Sequence, residues 1–174
     1  DHFEPADRTP PFKVVLGQVM SKGDRMDYAI QKATELGVTT IQLLTSERCE
    51  MRLKYDRDQK KIDHWQSVAI AACEQCGMNI VPKILAPLRL EDWFNSNLPA
   101  TKLVLAPNKD QVDVLNSVSK DLALLIGPEG GLSEAEINAA NAVGFENWCI
   151  GSRVLRTETA PVVALAILNY RLAE

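Results

Sequence analysis

Three short runs, KLVLAP (102–107), LALLIG (122–127) and NWCIG (147–151), are apolar almost without a break and alternate with stretches of helical spacing. A strand with no polar face must be covered on both sides. A mostly parallel sheet between two layers of helices does this repeatedly along a chain. The upstream half has the same alternation. FKVVLGQVM (12–20) and TTIQLLT (39–45) read as strands. Between them, after the turn Ser21-Lys22-Gly23, Met26, Ala29, Ile30, Ala33 and Leu36 recur at helical spacing, with Asp24 as N-cap and Gly37 as the stop. Residues 46–61 carry charge of both signs and read as a solvated loop entering a second helix over 58–76. Ile62, Trp65, Ala69, Ala72, Cys73 and Cys76 share one face of that helix, ahead of Gly77. NIVPKIL (79–85) reads as a strand that Pro82 keeps out of a fully hydrogen-bonded central place, and 86–101 as a loop with a short helix near 90–94.

The expected fold is therefore α/β, a mostly parallel sheet covered by helices on both faces. The chain of 174 residues is long enough for one domain with a full core. No apolar stretch reaches bilayer-spanning length. The formal net charge of −4 weighs against a free-standing nucleic-acid binder, since phosphate affinity depends on Lys and Arg displacing counterions. A local basic patch is compatible with it. Cys73 and Cys76 form a C-x-x-C, but only two histidines, His2 and His64, are available to complete a zinc set. The pair also lies at the end of a helix, where the dipole does not lower a thiol pKa. Reduced, core-lining cysteines and no metal are the reading, which suits a cytoplasmic protein. Residues 1–11 read as a linker or remnant of an upstream domain, with the body of the fold over 12–174.

LLIGPEGGLSEAEI (124–137) joins an apolar strand to a helix through three glycines in five positions. A Walker loop needs a Lys after the glycines, and the dinucleotide fingerprint needs wider glycine spacing; neither is present. Glu129 in the turn would repel a phosphate, so the ligand that fits is cationic or zwitterionic. Ser133-Glu134-Ala135-Glu136 has the form of a capping box, with Ile137, Ala140 and Val143 or Ala139 on the apolar face beyond it. Residues 150–160, IGSRVLRTETA, again run from a strand end through a glycine-containing loop to a helix. With LAP (105–107), three strand ends converge where ligands bind in open α/β sheets, giving backbone groups for a base edge and Ile126, Ile150 and Leu155 for its faces. The last helix, about 158–173, contains VVALAIL and is apolar all round, so it belongs deep inside the fold or in a subunit interface.

LLIGPEGGLSEAEI followed by IGSRVLRTETA resembles the C-terminal signature of SPOUT-class RNA methyltransferases, most closely the RsmE family. KGDRMDYAIQKATELGVTTIQLLTSER and AIAACEQCG resemble that family too, so the likeness covers nearly all of residues 12–172. The resemblance implies S-adenosylmethionine-dependent methylation of N3 of a uridine in small-subunit (16S) ribosomal RNA. It implies a homodimer whose pockets are completed by the partner, and a deep trefoil knot with the final helix threaded through a loop around 105–130. Members usually carry a PUA-like RNA-binding domain ahead of this one, and residues 1–11 would be its tail; without it, cofactor binding is expected with weak methylation of ribosomal particles.

The cofactor residues implied are Leu105, Ala106, Pro107, Ile126, Gly127, Glu129, Gly130, Ile150, Gly151, Leu155 and Thr157. Arg156 and Arg153, beside that pocket, are the candidates for holding charge on the uracil as N3–H is lost; the alternative is ion pairing to Glu129 or Glu158. Arg25 and Lys32 on the first helix, extended by Arg48 and Arg52, are the candidate RNA contacts. No residue stands out as a general base. The rival readings are methylation of another rRNA or tRNA position, and a non-catalytic RNA-binding or ribosome-assembly module with the same fold.

Overall fold

Each apolar run becomes a strand of one sheet. The computed structural model describes residues 8–49, 51, 55–107 and 114–173. Strands β1 (Lys13–Val19), β2 (Thr40–Thr45), β3 (Lys83–Arg89), β4 (Thr101–Leu105), β5 (Asp121–Ile126) and β6 (Phe145–Trp148) lie in the order β3-β2-β1-β5-β4-β6, and every pair is parallel. Successive side chains of a strand point to opposite faces. Leu122, Leu124 and Ile126 of β5 therefore join one core with α1 (Asp24–Glu35), α2 (Tyr55–Cys76) and α5 (Thr159–Leu172). Ala123 and Leu125 join a second core with α3 (Leu90–Phe94) and α4 (Glu134–Ala142). Sequence order reverses around the centre of the sheet, because β5 enters between β1 and β4.

Gly17 is needed where these layers meet. A Cβ built on it would lie 2.3 Å from the Trp93 ring of α3. The glycine lets the indole lie on the strand and reach Phe145, with ring centroids 5.6 Å apart.

Several boundaries differ from expectation. Asp24 is not the N-cap of α1. Gly23, at φ 68°, takes that place without a side-chain cap, and Asp24 and Asp27 sit in the first turn, where the helix dipole favours them. β3 begins at Lys83 and runs through residues read as loop. It is an edge strand, and its register against β2 shifts between Gln42 and Leu44, opposite Ala86 and Pro87. Pro87 has no N–H to give, and the bulge accommodates it. Gln42 Nε2 donates to Ala86 O at 2.7 Å, so the carbonyl at the irregularity is not left bare. β6 also starts earlier, at Phe145, and beyond it Ala106 N donates to Trp148 O at 3.1 Å.

The capping box of α4 forms as its sequence says: Ser133 Oγ accepts from Glu136 N, and Glu136 Oε1 accepts from Ser133 N at 2.9 Å. Val143 packs on the second core, whereas Ala139 is exposed.

In the single chain α5 is buried along one face, the arrangement that the subunit-interface alternative would leave. Ala160, Ala164, Leu165, Leu168 and Leu172 are buried, and Asn169 Nδ2 donates to Leu36 O at 2.7 Å, fastening the helix to the end of α1. Val162, Val163, Ala166, Ile167 and Tyr170 form a stripe that stays partly or fully exposed in the single chain, and Tyr170 is 77% accessible. Of the remnant read over 1–11, residues 1–7 lie outside the described residues. Arg8 donates to Cys76 O at 3.2 Å, and Pro10 covers Gly37, so residues 8–11 pack on the domain. No helix among the described residues is long and apolar enough to cross a membrane.

Candidate functional site

Where β4, β5 and β6 end, the chain leaves the sheet by three loops, and these surround a cavity of about 300 Å³. That volume is at the lower end of the range for small-molecule pockets. Its walls include Leu105, Ile126, Trp148, Ile150 and Leu155, and its rim is the turn Gly127–Gly131 together with Gly151 and Arg153. It lies at the carboxyl ends of the strands, beside the point where strand order reverses, as ligand sites in open α/β sheets do.

The three glycines of the turn serve different physical needs. A Cβ on Gly127 would lie 2.9 Å from Leu132 Cγ, so this glycine allows a close packing contact. Gly131 has φ +72°, a left-handed conformation that L side chains rarely adopt. Gly130 has neither constraint; a Cβ there would meet Arg48 at an ordinary 3.5 Å.

Side chains distant in sequence fasten this turn. Thr157 Oγ1 donates to Gly127 O at 2.9 Å, Arg48 Nη1 donates to Gly130 O at 2.9 Å, and Arg25 forms an ion pair with Glu129. Glu47 N donates to the Glu136 carboxylate at 3.0 Å, so the loop after β2 is attached to the start of α4 as well.

Of the cofactor residues named from sequence, Leu105, Pro107, Ile126, Gly127, Glu129, Gly130, Ile150, Gly151, Leu155 and Thr157 line this cavity. Ala106 does not; it is fully buried behind the wall. Arg153 lines the cavity, whereas Arg156 is exposed and is not among the lining residues. The ion pairs weighed as an alternative for these two arginines do not form. Glu129 is taken by Arg25, and neither Arg153 nor Arg156 has a side-chain partner among the described residues.

Of the four basic residues read as one RNA-facing patch, the three described ones divide between the pocket rim and α1. Arg25 and Arg48 reach the pocket rim. Lys32 sits two turns further along α1, paired with Glu35 at 3.0 Å, and Arg52 lies outside the described residues. Leu132, Ile137, Trp148, Val154 and Ala160 also line the cavity. Sequence reasoning did not assign them to it, although the place of Trp148 at a strand end was a usable signal.

Cys73 is buried, and burial, with neighbouring Cys76 second, pushes its thiol pKa above the ordinary 9.0. It therefore stays protonated at neutral pH and offers no thiolate for redox chemistry. No cluster of three or more metal-ligating side chains occurs among the described residues.

The residues present suit an adenosyl group carrying a zwitterionic tail. Apolar walls can sandwich a flat base, turn backbone lies open at the rim, and no Lys among the described residues lines the cavity. The fold and pocket match a class of RNA-modifying enzymes: the RNA methyltransferase domain profile covers residues 8–169. A TrmH/SpoU tRNA modifying enzyme from A. aeolicus, only 13% identical, shares the fold with a TM-score of 0.53 over 96% of this chain and 76% of that one.

Nearer relatives narrow the class. Ribosomal RNA small subunit methyltransferase E of Buchnera aphidicola subsp. Schizaphis graminum is 38% identical over 94% of this chain and 68% of its own length. The ribosomal RNA small subunit methyltransferase E of Neisseria gonorrhoeae, solved with S-adenosyl methionine bound, is 37% identical with a TM-score of 0.89, over 96% of this chain and 69% of that one. The chain belongs to the ribosomal RNA small subunit methyltransferase E family, within the SPOUT class.

Proposed function

We propose that this domain binds S-adenosylmethionine in the cavity at the ends of β4, β5 and β6 and methylates N3 of a uridine in small-subunit (16S) ribosomal RNA in the cytoplasm. The observation that carries the reading is the convergence of three strand-end loops, two of them glycine-containing, on one backbone-rimmed cavity, in a chain of this family. The bound cofactor supplies an electrophilic methyl group on a cationic sulfonium. The protein's own task is to hold two reactants in line and exclude water, because the displacement itself consumes the sulfonium charge.

Leu105, Ile126, Ile150 and Leu155 hold the adenine between apolar faces, and the turn 127–131 supplies backbone polar groups at its edge. Glu129 places a carboxylate where the ligand is cationic. As N3–H is lost, negative charge spreads onto the uracil oxygens. Arg153, at the cavity wall, and Arg156, three residues on, are cations with no side-chain partner among the described residues, so donating to those oxygens costs none of the ion pairs described. Arg25 and Arg48 bring positive charge to the rim that RNA crosses, with Lys32 further along α1 and Arg52 as a further RNA contact. The exposed apolar stripe of α5, together with Val154 at 75% exposure, forms the face on which a second copy docks and closes the site. The final helix, α5, is threaded through the loop around 105–130 as a deep trefoil knot.

The test is calorimetric titration with S-adenosylhomocysteine and with ATP, followed by transfer of labelled methyl to small-subunit particles. The expected result is binding of the first ligand alone and a label mapping to uridine N3. Binding of ATP in its place, or label on a ribose or another base, would overturn the assignment.

A further inference from the structure

Gln18 lies inside the sheet with 1% of its surface exposed, paired in register with Ile126 at the end of β5. Its neighbours on the same side of the strand, Leu16 and Met20, are aliphatic members of the core. Packing alone has no use for an amide there, and burying one opposes folding unless its polar atoms are satisfied. Gln18 Nε2 donates to Val19 O at 3.1 Å and to Thr157 Oγ1 at 3.3 Å, but Oε1 is buried with no donor among the described residues. Such a half-satisfied group calls for a compensating role.

The direction of the protons supplies one. Thr157, 5% exposed, has a single hydroxyl proton, which it gives to Gly127 O at 2.9 Å. A hydroxyl is free to rotate unless an outside donor fixes its acceptor side. Gln18 Nε2 is that donor. Three segments far apart in sequence are thereby joined at one point: β1, the exit of β5, and the approach to α5.

We propose that Gln18 is a positioning residue for the cofactor cavity. By donating to Thr157 it locks the hydroxyl onto Gly127 O, and so fixes the spacing between the turn 127–131 and the loop 150–157 that an adenosyl group must enter. The role rests on the cofactor reading above. Gln18 is not itself among the residues lining the cavity and acts through Thr157.

A double-mutant cycle tests it. Gln18→Met keeps the volume and removes both polar atoms of the amide, the unpartnered oxygen included, so the unfolding midpoint is expected to hold or rise. Thr157→Val removes the hydroxyl. Each substitution is expected to weaken S-adenosylhomocysteine binding by about tenfold, the scale of one buried hydrogen bond. The double variant should lose no more than the larger single loss, because both act on one path. Thr157→Ser keeps the hydroxyl and should recover most of the affinity that Thr157→Val loses, and it leaves Gln18 in place should Gln18→Met fail to fold. Losses that multiply, Gln18→Met binding as tightly as wild type, or Thr157→Val binding as tightly as Thr157→Ser overturns the positioning role alone. A wild-type chain that does not bind S-adenosylhomocysteine overturns the cofactor reading, and this role with it.

Discussion

Gly127→Ala and Gly130→Ala are the same substitution three residues apart in one turn, and the structure separates their outcomes. Neither glycine has positive φ, so backbone strain favours neither result. A methyl on Gly127 would stand 2.9 Å from Leu132 Cγ and 3.1 Å from Leu132 N. Ordinary carbon contacts need about 3.5–4.0 Å, and Leu132 cannot rotate out of the way because its backbone is also too close. Overpacking of this kind costs about 1–3 kcal/mol. Restricting the unfolded chain returns roughly 0.4–1 kcal/mol. The net prediction for Gly127→Ala is a loss centred on about 1.3 kcal/mol, or about 3–5 °C in Tm for a chain of this size. S-adenosylhomocysteine affinity should fall several-fold with it, since the turn that must move is the rim of the cavity.

A methyl on Gly130 meets Arg48 at 3.5 Å, an ordinary contact, so Gly130→Ala should stay within about 0.5 kcal/mol of wild type. Urea and thermal unfolding of the two variants, with calorimetry beside them, decide the matter. If Gly130→Ala loses as much stability as Gly127→Ala, the reasoning from close contacts is wrong.

Three further outcomes are expected. Gly17→Ala drives a methyl into the Trp93 ring and should cost about 1–3 kcal/mol in urea unfolding; in a Trp93→Leu background the added cost should shrink. Tyr170→Glu places a charge on the exposed stripe of α5, where the proposed second copy docks, and should shift sedimentation of the proposed dimer to monomer; a dimer unaffected by the charge would move the interface elsewhere. Cys73 titrates above its ordinary 9.0 in the folded chain, so the folded state holds its proton longer than the unfolded one does. Its stabilising contribution is complete below that value and is lost as pH rises through the higher folded one. Wild type should therefore lose more stability than Cys73→Ala between pH 8 and about 10.5.

What the sequence made legible was local or periodic. The capping box at Ser133 and Glu136 could be read directly because both partners lie within four residues. The cavity could be placed because strand ends are visible as apolar runs that stop at glycine. Boundaries set by a partner strand were not readable. The start of β6 is fixed by pairing Phe145 with Lys102, and β3 tolerates Pro87 because it lies at an edge opposite a bulge. Arg48 sits in a charge run that looks solvated, and its turn toward the cavity depends on a carbonyl 82 residues away. Arg25 likewise finds Glu129 across 104 residues. Gln18 was passed over as one polar residue in an apolar strand, since its partner lies 139 residues further on.

The insertion of β5 beside β1 has a consequence for the order in which the molecule can be born. β1 ends at Val19, yet its second neighbour begins only at Asp121. On a nascent chain that emerges from its amino end, β1, β2 and β3 can associate early while one flank of β1 still shows bare amides and carbonyls, an invitation to pair with strangers. The cavity waits longer still, because one wall belongs to residues 150–157 and part of its lining to Ala160 of α5. A ribosome that stalls before residue 150 thus releases a product with much of its sheet and an unfinished cavity.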